Sequence, residues 1–222
     1  RLLVVADGPR EEADAEACRR VRALFDGIDW DCDVETEFAD AHMGCGRWVA
    51  SGLDWVFSRA DRAIVLEDDV VPDPSFFAFC EALLARYADE EPVMHIGGTN
   101  LLGATGDAHS YAFSRFSLPP WGWASWARAW ARYDLGLAGW EAAEDGVRQR
   151  LGRTFPLWNE LVTGYRRTLR SWDLQWNAAL WCHDGLAVVP ARNLVTNVAY
   201  GEGATFPRSA GSRYAALPSA SC

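Results

Sequence analysis

Short apolar runs alternate with longer segments in which apolar residues recur every three or four positions, and this predicts strands followed by helices through the first half of the chain. Leu2 to Ala6 reads as a buried strand, broken by Asp7-Gly8-Pro9. Glu11 to Phe25 follows as a helix with Cys18, Val21, Leu24 and Phe25 on one face. Val34 to Phe38 is a second strand, and Gly44-Cys45-Gly46 opens a helix whose stripe includes Val49, Leu53, Val56 and Phe57. Ala63-Ile64-Val65-Leu66, bounded by acids and prolines, fits a strand buried on both faces. Asp73 is placed to cap a helix, with Pro74 at its first position, that runs to about Tyr87. Val93 to Ile96 and Tyr111 to Phe113 are short strands. Such alternation predicts an α/β fold with a parallel sheet covered on both faces.

After about Trp121 the character changes: nine of the twelve tryptophans lie from there onward. Helices are expected over Trp123–Arg132 and Trp172–Trp181, with short strands near Leu186–Val189 and Leu194–Ala199. The tail from Gly203 is rich in Gly, Ser, Ala and Pro and reads as mobile. At 222 residues the whole reads as one domain made of two unlike halves, about 1–118 and about 119–222.

Composition narrows the partners. A net charge of -10 argues against a nucleic-acid backbone, which requires a basic face. All 21 basic residues are Arg, which excludes Lys Schiff-base and P-loop chemistry. Phosphates would therefore be received by a metal or by local arginines. No apolar run approaches the ~20 residues that span a membrane. A sequence that opens on Arg1 directly into a strand is expected to have lost a short leader. The six cysteines show no CxxC pair and no His/Cys ligand spacing, and Cys18, Cys80 and Cys182 fall on apolar helix faces. A reducing, cytoplasmic setting is the simpler expectation. His42, His95, His109 and His183 show no ligand spacing either.

The candidate chemistry centres on Glu67-Asp68-Asp69 at the carboxyl end of the Ala63–Leu66 run. Ligands of α/β sheets bind just beyond the carboxyl ends of the strands. Three adjacent carboxylates repel one another, and a divalent cation would compensate them. Mg²⁺ and Mn²⁺ prefer carboxylate oxygens together with substrate phosphates. A solvated acidic turn is the alternative.

LEDDVVPDPSFF at Leu66–Phe77 resembles the acidic metal-binding signature of nucleotide-sugar-dependent glycosyltransferases of GT-A fold, most of all the N-acetylglucosaminyltransferase I-like family and its bacterial relatives. VVADGPR at Val4, GCGRWVASGLDWVF at Gly44, WGWASW at Trp121 and SWDLQWNAALW at Ser171 fit in the same order, so the resemblance spans nearly the whole chain. It implies a Rossmann-like mixed sheet flanked by helices, with a nucleotide-binding half followed by an acceptor-binding half. The implied activity is an inverting, metal-dependent transfer of a sugar from a nucleoside diphosphate donor, most simply UDP-linked, to a hydroxyl of a glycan or glycolipid. The implied cofactor is Mn²⁺ or Mg²⁺. A glycolipid acceptor would bring the enzyme to the inner face of a membrane.

The same resemblance implies residue roles. Asp69 is the protein ligand to the metal, Asp68 lies near the ribose or the metal's water shell, and Glu67 supports them. Asp173 matches the base supplied by the WD pair, here Trp172-Asp173. On the residues alone, Ser171 is a suitable N-cap, placing Trp172 first and Asp173 second in a helix whose N-terminus favours an ionised carboxylate. An acid that only stabilises a helix start is the alternative. Arg10 and Arg47 are candidates for phosphate contacts and Asp7 for the base or ribose, against solvated side chains. Trp121 and Trp123 would stack on a sugar that Gly122 between them lets approach, with Trp172 a further acceptor or sugar contact, whereas core packing better explains Trp126 and Trp130. Asn100 would hydrogen-bond donor or acceptor. Phe206 stands within Gly201–Arg208, where several relatives carry His, and closure of the donor site would differ accordingly. The rival functions are metal-dependent nucleotidyl or phosphoryl transfer, and a catalytically inactive sugar-binding module.

Overall fold

The structure, a computed structural model, describes residues 1–107, 110–166 and 168–199. The tail from Gly203, His109 and the Gly201–Arg208 stretch with Phe206 lie outside them. In chain order the strands are β1 (Leu2–Ala6), β2 (Val34–Phe38), β3 (Arg62–Val65), β4 (Val70–Pro72), β5 (Val93–Gly97), β6 (Tyr111–Ser114), β7 (Trp123–Trp126), β8 (Leu186–Pro190) and β9 (Val195–Asn197). The α-helices are α1 (Glu12–Ala23), α2 (Cys45–Phe57), α3 (Pro74–Arg86), α4 (Ala127–Trp130), α5 (Trp140–Leu151), α6 (Phe155–Arg166) and α7 (Asp173–Cys182).

The architecture is mixed α/β. A five-stranded sheet runs in the order β3-β7-β5-β8-β6. Only β5 and β8 pair in parallel there; β3–β7, β5–β7 and β6–β8 are antiparallel. The expectation of a parallel sheet is thus corrected to a mixed one. β1 and β2 form a separate parallel pair, and β4 with β9 an antiparallel one. Because β7 and β8 insert between strands of the first half, the two unlike halves share one sheet.

Helix α3 covers one face of that sheet through Phe76, Cys80, Leu83 and Leu84, packed with Ile96, Ala124, Trp126 and Val188. The other face meets α2, α4 and α7, where Leu53, Trp130, Trp172, Trp176 and Leu180 enclose Met94, Trp123 and Ala187. A third cluster, around Trp140, Val147, Phe155, Val162 and Trp181, joins α5 and α6 to α7. Helix α7 is therefore enclosed all round: every residue from Leu174 to Trp181 is buried, the polar Gln175 and Asn177 included. α3 begins as its sequence demands, with the Asp73 carboxylate accepting from the Ser75 N–H at 2.9 Å and Pro74 in the first turn.

Three expectations change. β3 stops at Val65, leaving Leu66 40% exposed, and as an edge strand it is only partly buried. Its side chains still alternate between the two layers, Ile64 toward α3 and Val65 toward α2. Trp123–Trp126 is a strand, not the start of a helix; it bonds to β3 and β5 on its two sides, and helix begins only at Ala127. Helix α1 forms, yet none of its residues is buried, and Val21 and the following Leu24 stay 52% and 69% exposed. The hydrophobic pattern leaves 133–170 unassigned, and α5 and α6 occupy it.

A register shift between Val93 and His95 in β5 lets Met94 and His95 both face the α7 side. His95 is buried there, stacked on Trp123 at 5.3 Å, with its Nδ1 accepting from Trp176 Nε1 at 3.1 Å. Burial pushes its pKa down to about 3. Between the ordinary value near 6.5 and that value, the unfolded chain binds a proton that the native protein does not. Stability should therefore fall as pH drops through this window, at up to about 1.4 kcal/mol per pH unit. Urea unfolding from pH 7 to pH 4 should show that slope, and His95→Asn, which keeps an acceptor for Trp176, should flatten it. Equal slopes in the two proteins would disprove the assignment.

Candidate active site

The acidic triplet forms the turn between β3 and β4, closed by the Val70 N–H donating to the Glu67 carbonyl at 3.1 Å. Val65 and Gly97 both pair with Trp123, so the carboxyl ends of β3 and β5 meet at the start of β7. The turn is tied down from the far side by β9, whose neighbour Val198 donates its N–H to the Asp69 carbonyl at 2.8 Å. Behind it the backbone is tightly packed. Gly98 donates to the Gly122 carbonyl at 2.7 Å, and a Cβ on Gly122 would lie 2.7 Å from Val195 and 3.4 Å from Leu66. Gly122, with φ of +59°, thus serves the packing beneath the turn.

Asp68 is exposed, and Glu67 and Asp69 are half-buried. Asp69 Oδ1 is itself buried and has no hydrogen-bond partner. A carboxylate oxygen withdrawn from water without a donor is unfavourable, and a cation is the partner that suits it. Among the described residues no group of three or more His, Cys, Asp or Glu side chains could hold a metal ion by itself. A cation at Asp69 would therefore take most of its oxygens from substrate and water, a habit of Mg²⁺. The donor set fits that limited role.

Asp173 approaches from the second half. It stands at the first position of α7, with Trp172 as the cap residue, one place earlier than the sequence suggests. Its Oδ1 accepts from the Leu174 N–H at 2.8 Å and from the Ser171 hydroxyl, so Ser171 orients the carboxylate rather than capping the helix. Trp172 stacks on Trp123 at 5.5 Å, which fixes the start of α7 against the strand beside the acidic turn. The first turn of α2 packs on the same approach. A Cβ on Gly46 would sit 2.1 Å from the Leu169 carbonyl oxygen and 3.1 Å from the Ser171 nitrogen.

Cys45, at the head of α2, reports where the acids meet. Its thiol is pushed up to about 12, first by burial and then by Glu67, Asp173, Asp7 and Asp68. Four carboxylates from three separate segments thus act on one sulfur. Tyr133 is held above its ordinary value by burial and by Asp173 among other acids, while its hydroxyl donates to the Trp172 carbonyl at 3.2 Å. Neither residue was among the sequence candidates; only the glycines around Cys45 hinted at a crowded turn.

Asp7 belongs to this group but has structural tasks. Its carboxylate accepts from the Gly8, Met43 and Gly44 N–H groups at 2.8–2.9 Å and pairs with His42 Nδ1 at 2.7 Å. It thereby shapes the loop entering α2. Arg10 and Arg47 are exposed at the same end, without an ion pair among the described residues.

The expected sugar contacts are corrected. Trp121, Trp123 and Trp172 are 8%, 0% and 2% exposed, Trp121 packed in the α3 layer and the other two in the α7 layer, so none of them offers a stacking platform. Asn100 is also buried. Its Nδ2 donates to the Pro190 and Ala191 carbonyls at 2.9 and 3.1 Å, and its Oδ1 accepts from the Leu102 N–H at 2.9 Å, which uses its amide to hold a loop.

Gly46→Ala tests the coupling of α2 to Asp173. Alanine in a helix ordinarily gains up to about 1 kcal/mol over glycine. Against a fixed backbone oxygen the overpacking penalty, about 1–3 kcal/mol, should win. The urea midpoint should fall, and a stabilised variant would show that Gly46 is not held against Leu169.

No helix among the described residues is long and apolar enough to cross a membrane. No family model matches the chain, and no curated protein matches it at a significant level.

Proposed function

We propose that this chain is an inverting, metal-dependent glycosyltransferase. It moves a sugar from a nucleoside diphosphate, most simply UDP, to a hydroxyl of a glycan or glycolipid. The observation that carries this reading is that Trp172 stacks on Trp123, the strand partner of Val65, so that Asp173 at the start of α7 lies against the strand end bearing the acidic turn, where Asp69 Oδ1 is buried without a partner. A base on one side and a cation ligand on the other are what direct displacement at an anomeric carbon requires. The cation, when bound, offsets charge on the departing diphosphate.

Asp69 supplies Oδ1 as the protein's ligand, and Asp68 reaches the ribose or the cation's water. Arg10 and Arg47 offset phosphate charge at the head of α2, where backbone N–H groups and the helix dipole also favour an anion. Asp173 holds its Oδ1 in two hydrogen bonds and keeps Oδ2 to take the acceptor's proton. The acceptor oxygen bonds to the anomeric carbon as the carbon–oxygen bond to the diphosphate breaks. No covalent enzyme intermediate forms, so the product has inverted configuration.

Burial of Trp121, Trp123 and Trp172 denies a sugar-binding module these three side chains as stacking surface. A nucleotide-sugar panel with Mn²⁺, followed by release of free nucleoside diphosphate, tests the proposal. Release of phosphate or pyrophosphate instead would favour the nucleotidyl or phosphoryl-transfer rival. Binding of every donor without turnover would leave an inactive module.

A further inference from the structure

Strand β6 is an outer strand of the five-stranded sheet, joined to β8 on one side only. Tyr111, Ala112, Phe113 and Ser114 stand opposite Pro190, Val189, Val188 and Ala187. In an antiparallel pair, residues that exchange bonds with the neighbouring strand alternate with residues whose N–H and C=O point away from it. The Ala191 N–H donates to the Ser110 carbonyl at 2.9 Å, which fixes the phase. Ala112 therefore bonds to Val189, and the main-chain groups of Tyr111 and Phe113 point outward. Pro190, opposite Tyr111, has no N–H to give, in keeping with that phase. Outside the ladder with β8, no backbone bond involves Tyr111 or Phe113 among the described residues.

The side chains along this open edge are apolar. The Tyr111 and Phe113 rings lie 6.0 Å apart, and both pack on Tyr87, just past the end of α3. Phe113 nevertheless stays 49% exposed. Ala112, exposed and small, occupies the opposite face of the strand. Edge strands are commonly blunted by a charge, a proline or a bulge. β6 has none of these: its residues are Tyr-Ala-Phe-Ser, and its register with β8 is unbroken.

We infer that β6 pairs with β6 of a second copy of this chain, antiparallel about a two-fold axis at Ala112. Tyr111 of each copy then faces the partner's Phe113. Both turn their N–H and C=O outward, so each such pair exchanges both of its bonds, and an aromatic pair forms on either side of the axis. Ala112 meets the partner's Ala112 in the close, non-bonded position, about 4.5 Å between Cα atoms, which suits a small side chain. An axis through Tyr111 or Phe113 would bond only one outward residue per copy within β6. A two-fold contact closes on itself, giving a dimer with one sheet continuous across both copies. Its short edge and single aromatic flank place the interface below about 1,200 Å², where association is weak and reversible. The inference does not rest on the acidic site.

Sedimentation velocity of the full chain should show a reversible monomer–dimer equilibrium with a Kd of about 10–200 µM. Phe113→Lys leaves the bonds of β6 to β8 in place and sets a charge on the edge, and should weaken dimerisation at least about tenfold. A disulfide tests the register without touching the aromatic residues. Ala112→Cys should cross-link into a dimer through position 112 under oxidised glutathione, because the close pair suits a disulfide. Ser110→Cys should not, since position 114 stands opposite it. Mass spectrometry locates the link, and the wild type, with its six cysteines, oxidised alongside sets the baseline. The wild-type series and the cross-link hold even if Phe113→Lys disturbs folding. A chain that stays monomeric up to about 500 µM, well beyond a weak interface of this size, would overturn the inference. So would a folded Phe113→Lys protein that dimerises as the wild type does, or cross-linking at position 112 no greater than at position 110.

Discussion

Replacing Asp173 by Asn is expected to lower sugar-transfer turnover by about 10²–10⁴-fold, the usual contribution of a positioned general base. The substitution keeps size and shape. An Asn Oδ1 still accepts from the Ser171 hydroxyl and the Leu174 N–H, so the start of α7 should stay in place. What is lost is the anionic oxygen proposed to take the acceptor's proton. UDP affinity should change little, since the nucleotide contacts proposed above lie on the acidic turn and the head of α2. The melting midpoint should also hold, because Trp172 keeps its stack on Trp123. The paired measurement is turnover against UDP binding in the same preparation. A fully active Asp173→Asn protein would remove Asp173 from the chemistry, and a retained anomer in the wild-type product, read by NMR, would remove direct displacement.

Asp69→Ala should have the opposite signature, with UDP binding lost. Losing an outer-shell partner of a metal already lowers affinity by 10–100-fold, so removing a direct ligand should weaken Mn²⁺-dependent UDP binding at least about 100-fold. Calorimetry with and without excess EDTA measures it. Metal-free stability should not fall, since Asp69 Oδ1 is buried without a partner and its removal breaks no hydrogen bond of its own. A merely structural Asp69 would give a lower melting midpoint in EDTA with UDP binding unaltered. Tight, unchanged UDP binding by the wild type in EDTA would mean that the triplet holds no metal.

Much of the frame was legible because it depends on short-range rules. β1, β2, α2, α3 and β5 fall close to where period and capping predict them, down to Asp73 and Pro74 at the start of α3. Aromatic residues misled at two levels. Trp123 and Trp126 have a helix-like spacing, yet partners on both sides make the segment a strand. Trp121 and Trp123 beside a glycine look like a sugar platform until burial is known. Asn100 erred for a related reason: whether an amide is free for a ligand depends on distant carbonyls, here those of Pro190 and Ala191.

The sequence by itself determined the acidic turn at the end of a strand, the acid at the head of α7 and the glycines that open α2, since each is written in adjacent residues. Only the tertiary structure decided that Asp7, Glu67, Asp68 and Asp173 act on one half-buried thiol. It alone decided that the Asp69 Oδ1 and the Gln175 amide lie buried without partners. Convergence and satisfaction are properties of distances between segments remote along the chain. Those distances are set by how β7 and β8 thread between the strands of the first half, and no local period encodes that.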